Sequence, residues 1–214
     1  MTKPTWDAIF AKQQWGRYPN EMVVREVMGF KQRHMHHHGG IGTENIPALD
    51  LGCGGGAHTM LLAENGFFVT AVDSSREALH QTEVNCLRRG LDNKVRYVEL
   101  DYIAGSLPLE RHCVIIDWLS LTHAPRDKVH NVVWRVFNSS LGSQGRYILG
   151  VFGPDTDQET FEGRPPALIW ARQELEALAS QVAGAFKGGW HLEEQTYTRK
   201  GKRTQIWCLV IDIG

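Results

Sequence analysis

The 214 residues carry 23 Lys+Arg against 24 Asp+Glu, a formal net charge of −1, so no global positive field gathers nucleic acid or an anionic membrane. Hydrophobic residues make up 42% and charged residues 22%, the balance of a soluble chain long enough for one sizeable α/β domain and short for two. Cys53, Cys86, Cys113 and Cys208 form no C-x-x-C pair, and neither a signal-peptide pattern nor an 18-residue apolar run is present. Both features imply a cytoplasmic setting, with the thiols as small buried apolar groups.

Beyond the opening "TKPTWDAIFAKQQWGRYP", the periodic "NEMVVREVMGFKQRHM" predicts a helix capped by Asn20. "HMHHHGGIGTEN" then connects to a first strand, "IPALDLG". "HTMLLAENG" reads as helix and "FFVTAVD" as a second strand; "SREALHQTEVNCLRRG", capped by Ser74 or Ser75, is helix and "KVRYVELD" a third strand. "CVIIDWLSL" is the fourth strand with its exit loop, "APRDKVHNVVWRVFNSSLG" a helix and "GRYILGVFG" the fifth strand. A helix "ARQELEALASQVAGAF" precedes "WHLEEQTYT" and "RTQIWCLVIDI", which read as a closing hairpin around Lys200-Gly201. This alternation predicts a parallel sheet with helices on both faces, whose ligands lie beyond the carboxyl ends of the strands.

Asp50, Asp73, Asp101 and Asp117 each fall at or near the end of one of the first four strands. Any one of them reads equally as a loop or helix cap, but their repetition points to one ligand. The turn "LDLGCGGGAHTMLL" satisfies G-x-G-x-x-A through Gly52, Gly54 and Ala57, with Asp73 about twenty residues on, which fits a dinucleotide. It fits the methyl donor S-adenosylmethionine (SAM) as well. A pyrophosphate seated on the following helix N-terminus would be crowded by Asp50. The sulfonium and ammonium of SAM would instead gain from that carboxylate, directly or through water, while the glycines admit close backbone approach. Asp73 suits ribose hydroxyls in either case, and Asp101 suits an adenine amine.

"LDLGCGGG", "VTAVDSS", "VELD", "VIIDWLSLTHAP" and "LGSQGRYILG", in that order, resemble the motifs of the class I SAM-dependent methyltransferases over roughly residues 15–155. The resemblance implies a doubly wound, Rossmann-like, seven-stranded, mostly parallel sheet with an antiparallel last strand. It also implies SAM as cofactor and S-adenosylhomocysteine (SAH) as product. It assigns Asp50, Gly52, Gly54 and Gly56, with Cys53 between them, to the methionine moiety, Asp73 to ribose and Asp101 to adenine, with Ser74 and Tyr102 as adenine-pocket neighbours. "SLGSQGRYILG" departs from the usual "LKPGG" at Ser143 and Gln144. "WGRYPNEMVVREV" more narrowly resembles a subgroup often found among surface-polysaccharide genes, which makes a sugar or nucleotide-sugar a candidate acceptor. The expected organisation is one domain over 1–214: a helical lid (1–40), a SAM-binding core (41–155), and an acceptor loop, helix and hairpin (156–214).

Methyl transfer from a sulfonium is an in-line displacement in which alignment supplies most of the catalysis. "DWLSLTHAP" offers Asp117, as a ligand for the acceptor or donor amine or as a loop cap. It also offers His123 as a base with an ordinary pKa near ~6.5 or as a structural loop histidine, and Trp118 as a wall of the methyl site or as core. Trp15 and Tyr18 are candidates for a lid, Arg17 for an acceptor anion, and the connection 152–170 for the acceptor pocket. The histidine cluster lacks metal-ligand spacing, so no metal site is expected. "RKGKR" reads as a basic hairpin turn protecting a sheet edge. The expected partner is a small-molecule acceptor, with no membrane, nucleic acid disfavoured, and a monomer or homodimer. The alternatives are a non-catalytic SAM-binding or regulatory protein, a nucleic-acid methyltransferase acting through a local basic face, and an NAD-dependent oxidoreductase.

Overall fold

Strands β1 (Ile46–Leu51), β2 (Phe67–Asp73), β3 (Val95–Glu99), β4 (His112–Trp118), β5 (Leu141–Phe152), β6 (Gly189–Arg199) and β7 (Lys202–Asp212) form one sheet in the computed structural model, ordered β3-β2-β1-β4-β5-β7-β6. The structure describes residues 5–14, 18–37, 46–105, 107, 110–157 and 165–214. The β1–β2, β2–β3, β1–β4 and β4–β5 pairings are parallel, and β7 runs antiparallel to both β5 and β6. The expected doubly wound sheet with a reversed final strand is the one observed. Lys200 (φ 52°) and Gly201 (φ 75°) close the last hairpin, the two positive φ angles that match a two-residue turn to strand twist.

Helices α2 (Glu21–His37), α3 (Ala57–Glu64) and α4 (Arg76–Arg88) cover one face of the sheet, and α5 (Arg126–Arg135) and α6 (Arg172–Ala185) the other. Strand parity assigns the cores. Ala48, Val114, Ile116 and Ile148 pack under α2 and α3, while Leu49, Leu51, Ile115 and Leu149 pack under α5 and α6. Each of these side chains is essentially inaccessible, and those larger than Ala48 are worth roughly 1.5–3 kcal/mol apiece. Arg146, 3% exposed, forks onto Asp212 at 2.6 and 2.5 Å and onto Glu26 at 2.7 Å, tying α2 to β5 and β7.

Three boundaries differ from expectation. The opening segment contains a short helix, α1 (Trp6–Phe10), capped by Thr5. Helix α2, whose Asn20 side chain accepts from Met22 N–H as expected of an N-cap, runs on to His37. The long helix ends at Arg135 and gives way to a π-type turn, Val136–Ser140, so β5 begins at Leu141, beside His112. Among the described residues, no helix is long and apolar enough to cross a membrane.

Candidate active site

Strand order reverses between β1 and β4, since the chain winds from β1 outward to β3 and then from β4 outward the other way. Loops leaving adjacent parallel strands diverge there and open a crevice. A cavity of about 900 Å³ occupies it, at the carboxyl ends of β1, β2 and β4.

One wall is the glycine turn. The N–H groups of Gly52 and Cys53 donate to Val72 O at 2.7 and 3.0 Å, folding the turn over the end of β2. Gly52 and Gly54 have φ of 67° and 55°, a region that costs other L-residues roughly 1–2 kcal/mol. A Cβ at Gly52 would overlap the Ser120 side chain, and one at Gly54 would lie 3.3 Å from the Phe10 ring. Asp73 organises this wall: Oδ2 accepts from Gly54 N–H and Oδ1 from Ser75 N–H, both at 2.9 Å. Gly52, Cys53, Gly54, Asp73 and Ser74 all line the cavity. Asp101 and Tyr102 line it from the loop after β3, where Asp101 Oδ1 accepts from Ile103 and Ala104 N–H at 3.0 and 3.2 Å.

Three of the expected donor or acceptor residues lie outside the cavity lining, and Asp117 takes its alternative role as a loop cap. Asp50 is 1% exposed and does not line the cavity; it accepts from Thr59 Oγ1 at 2.6 Å and caps α3 from behind the turn. Asp117 is fully buried and takes Leu121 N–H (3.0 Å), the Tyr102 hydroxyl (3.0 Å) and the Tyr147 hydroxyl (3.3 Å). Gly56 faces α4, where a Cβ would strike Thr82. The pleat explains both aspartates. Asp50 shares its face with Ala48 and so points to α3, whereas Asp117 shares a face with Ile115 and Tyr147 and so points to α5. Burial, with little compensating charge, pushes both carboxyls up to about 7. Burial also raises the Asp73 carboxyl, while hydrogen bonds from the backbone, Ser75 and Gly54 foremost, pull it down.

The opposite wall is the corner after β4. Leu119 has φ 60° and its N–H donates to Gly150 O at 2.9 Å; a β-carbon-bearing residue in this region is strained and needs its surroundings to hold it. The bend delivers Ser120 against Gly52 and within 3.0 Å of the Tyr102 hydroxyl. Trp118 packs against Gly150 and lines the cavity. His123 also lines it, and its Nδ1 lies 3.0 Å from Pro166 O. A carbonyl only accepts, so Nδ1 carries a proton, and in the neutral ring the lone pair falls on Nε2. Tyr18, 84% exposed, stands at the mouth. Trp15 and Arg17 lie outside the described residues. In the connection 152–170, Phe152 lines the cavity and Pro166 backs His123, while residues 158–164 also lie outside the described part.

Several lining residues were not anticipated. Trp6 and Phe10 on α1 roof the cavity; their spacing of four is a helical signal that the opening segment did carry. His58 lines it from α3, its Nε2 accepting from Asn20 N–H at 3.3 Å, and burial lowers its pKa to about 4. Tyr197 and Arg199 reach it from β6, a strand remote from every donor motif.

Residues 48–140 match the family described as methyltransferase domain. A stretch of 120 residues is 41% identical to the probable cobalt-precorrin-6B C(15)-methyltransferase (decarboxylating) of Methanothermobacter thermautotrophicus, spanning 56% of this chain and 59% of that protein. Among solved structures, Burkholderia thailandensis 1,6-didemethyltoxoflavin-N1-methyltransferase, crystallised with its namesake compound and SAH, superposes with a TM-score of 0.61. The identity is 20%, over 91% of this chain and 79% of that one. Magnesium protoporphyrin IX methyltransferase from Synechocystis PCC 6803, with bound SAM, gives 0.62 at 13% identity, over 96% and 90%.

Proposed function

We propose that the chain is a class I SAM-dependent methyltransferase that moves a methyl group from SAM to an oxygen or nitrogen of a small-molecule acceptor, a reading supported by the methyltransferase-domain match and the sheet order. The observation that carries this is a single cavity of about 900 Å³ bounded by the glycine turn with Asp73 on one side and the Trp118–His123 corner on the other. Donor and acceptor would share one enclosure.

The residues fit the donor. Each Asp73 oxygen takes one side-chain bond from the backbone and keeps acceptor capacity for ribose hydroxyls. Asp101, Tyr102 and Ser74 would flank adenine, and the Gly52–Gly54 turn admits the methionine moiety where a side chain would not fit. Asp50 and Asp117 brace the turn and the corner from outside the cavity, through Thr59 and through Leu121 and Tyr102. When bound, SAM supplies an activated methyl group on a sulfonium, leaving SAH.

The chain then has to align the acceptor, exclude water and take up a proton. Trp6 and Phe10 shield the cavity, and His123, with its lone pair on Nε2, is the candidate base. Asp117 is a positioning residue that holds Tyr102, and through it Ser120, in place. A sugar or nucleotide-sugar acceptor is the finer reading, supported by the resemblance around Tyr18-Pro19 and by the aromatic surfaces of Tyr18, Trp118 and Tyr197 lining the cavity. Four unpaired cysteines support a cytoplasmic setting, and a monomer or homodimer completes the reading.

Two measurements test it. Calorimetry with SAM, SAH and NAD should give micromolar binding for the first two alone; NAD binding without SAM would overturn the assignment. Incubation with labelled SAM and a metabolite or glycan extract should yield a labelled small molecule, identified by mass.

A further inference from the structure

The basic run "RKGKR" has a role beyond turning the hairpin. Gln195, Tyr197 and Arg199 alternate along β6 and so share a face. Asn20 Nδ2 donates to Gln195 Oε1 at 2.9 Å, which brings that face against the start of α2, two residues from Tyr18. In the same register Gln195 pairs with Ile206, Tyr197 with Thr204 and Arg199 with Lys202, and Ile206 also lines the cavity. The hairpin face is therefore a wall of the acceptor end.

Lys128 and Arg199 are the lysine and the arginine that line the cavity, and Arg199 is the one beside Tyr197 on the same strand face. The strand neighbours of Arg199 on the face are neutral, and its cross-strand partner is Lys202. Among the described residues Arg33, Arg88, Arg111, Arg135 and Arg199 face no carboxylate within 4 Å, and of these Arg199 is the one that lines the cavity. The carboxylates sharing the cavity are engaged elsewhere: Asp73 and Asp101 accept backbone N–H groups, and Glu21 sits in the first turn of α2, where the helix dipole favours it. A planar fork with five donors beside a tyrosine face is a receptor for a carboxylate or phosphate on a ring.

We propose that the methyl acceptor is a ring compound bearing an anionic group, with Arg199 binding the anion and Tyr197 the ring at the hairpin mouth. This rests on the methyltransferase reading above and narrows its substrate class.

The test measures binding to the full chain saturated with SAH, using two near-isosteric pairs: 4-hydroxybenzoate against 4-hydroxybenzamide, and phenyl phosphate against phenol. The anionic member of at least one pair should bind about tenfold tighter or more; which pair responds tells carboxylate from phosphate. Arg199→Gln should reduce that preference to under about threefold, leaving affinity for SAH and for the neutral member unchanged, and Arg199→Lys should restore part of it. Equal affinities within both pairs, failure of both anions to bind below about 10 mM, or a preference surviving in Arg199→Gln would overturn the proposal while leaving donor binding intact. Failure of SAH itself to bind would instead remove the methyltransferase reading, and this inference with it.

Discussion

Trp6 stands edge-on to His123, ring centroids 4.8 Å apart and planes 74° apart. Helix α1 is pinned on the far side by Asp7, which accepts from Ser75 Oγ at 2.7 Å and from Glu77 N–H at 3.3 Å, and by Gln81 Nε2, which donates to Phe10 O at 2.5 Å. The two anchorages span the cavity. An edge-to-face pair is worth roughly 0.5–1.5 kcal/mol, so Trp6→Ala should speed SAH dissociation about two- to tenfold with little change in melting temperature. Stopped-flow displacement reads this; an unchanged rate would mean that α1 is no lid. The hydrogen bonds hold the Asp7 carboxyl below its usual range. This anchorage is therefore complete above the ordinary value of 3.8 and is lost only as pH falls through the lowered one.

His123→Ala should slow methyl transfer by about 10²–10⁴-fold if the imidazole takes the acceptor's proton, with SAH affinity retained. Identical pH–rate profiles for the two proteins would leave His123 without that role.

Asp73→Ala removes the acceptor for two backbone N–H groups as well as the ribose ligand. SAM affinity should fall by about 1–3 kcal/mol, and the loss in Asp73→Asn should be smaller, because its remaining carbonyl oxygen still accepts. Circular dichroism separates binding loss from unfolding. A folded alanine variant with wild-type affinity would contradict the assignment.

Asp117 has a pKa near 7 in the folded chain against an ordinary 3.8. The folded state thus binds this proton more tightly than the unfolded state. The stabilisation is whole below about 3.8 and is lost as pH rises through about 7. Asp117→Asn mimics the protonated form and escapes that loss. In urea melts between pH 4 and 8, the variant should gain on wild type steadily as pH rises. A difference independent of pH would mean that the carboxyl titrates normally.

The two turn glycines should respond unequally to alanine. Both substitutions pay the positive-φ cost of roughly 1–3 kcal/mol. Gly52→Ala also drives a methyl into Ser120, which is held by Tyr102, whereas Gly54→Ala only presses on the Phe10 ring at 3.3 Å. Thermal melts should therefore rank Gly52→Ala as the more damaging. The reverse order would show Ser120 to be free to move.

Element order was legible because α/β periodicity is written locally: "FFVTAVD" is β2 to the residue, and Lys200-Gly201 is the hairpin turn. Strand-end aspartates could be counted from the sequence, but their aim could not, since one step along a pleated strand reverses a side chain's face. That is why Asp73 lines the cavity while Asp50 and Asp117 brace helices on opposite sides. Gln144, at a position where the resembling family has glycine, kept a glycine's backbone at φ 59°, so the departure changed the residue and not the turn. Tyr197, Arg199 and His58 were invisible because their membership in the site depends on long-range pairing: the Asn20–Gln195 bond joins residues 175 positions apart.

The cavity draws its roof from residues 6–10, its floor from residues 52–73 and its mouth from residues 197–206. On the ribosome these arrive in that order. A nascent chain already holding every donor motif still has a compartment open on one side, and β7, which must slot between β5 and β6, follows both of them. Ligand-dependent protection of such chains from protease should accordingly switch on abruptly once the hairpin has emerged, making it the event that commits the translated polypeptide to its small-molecule load.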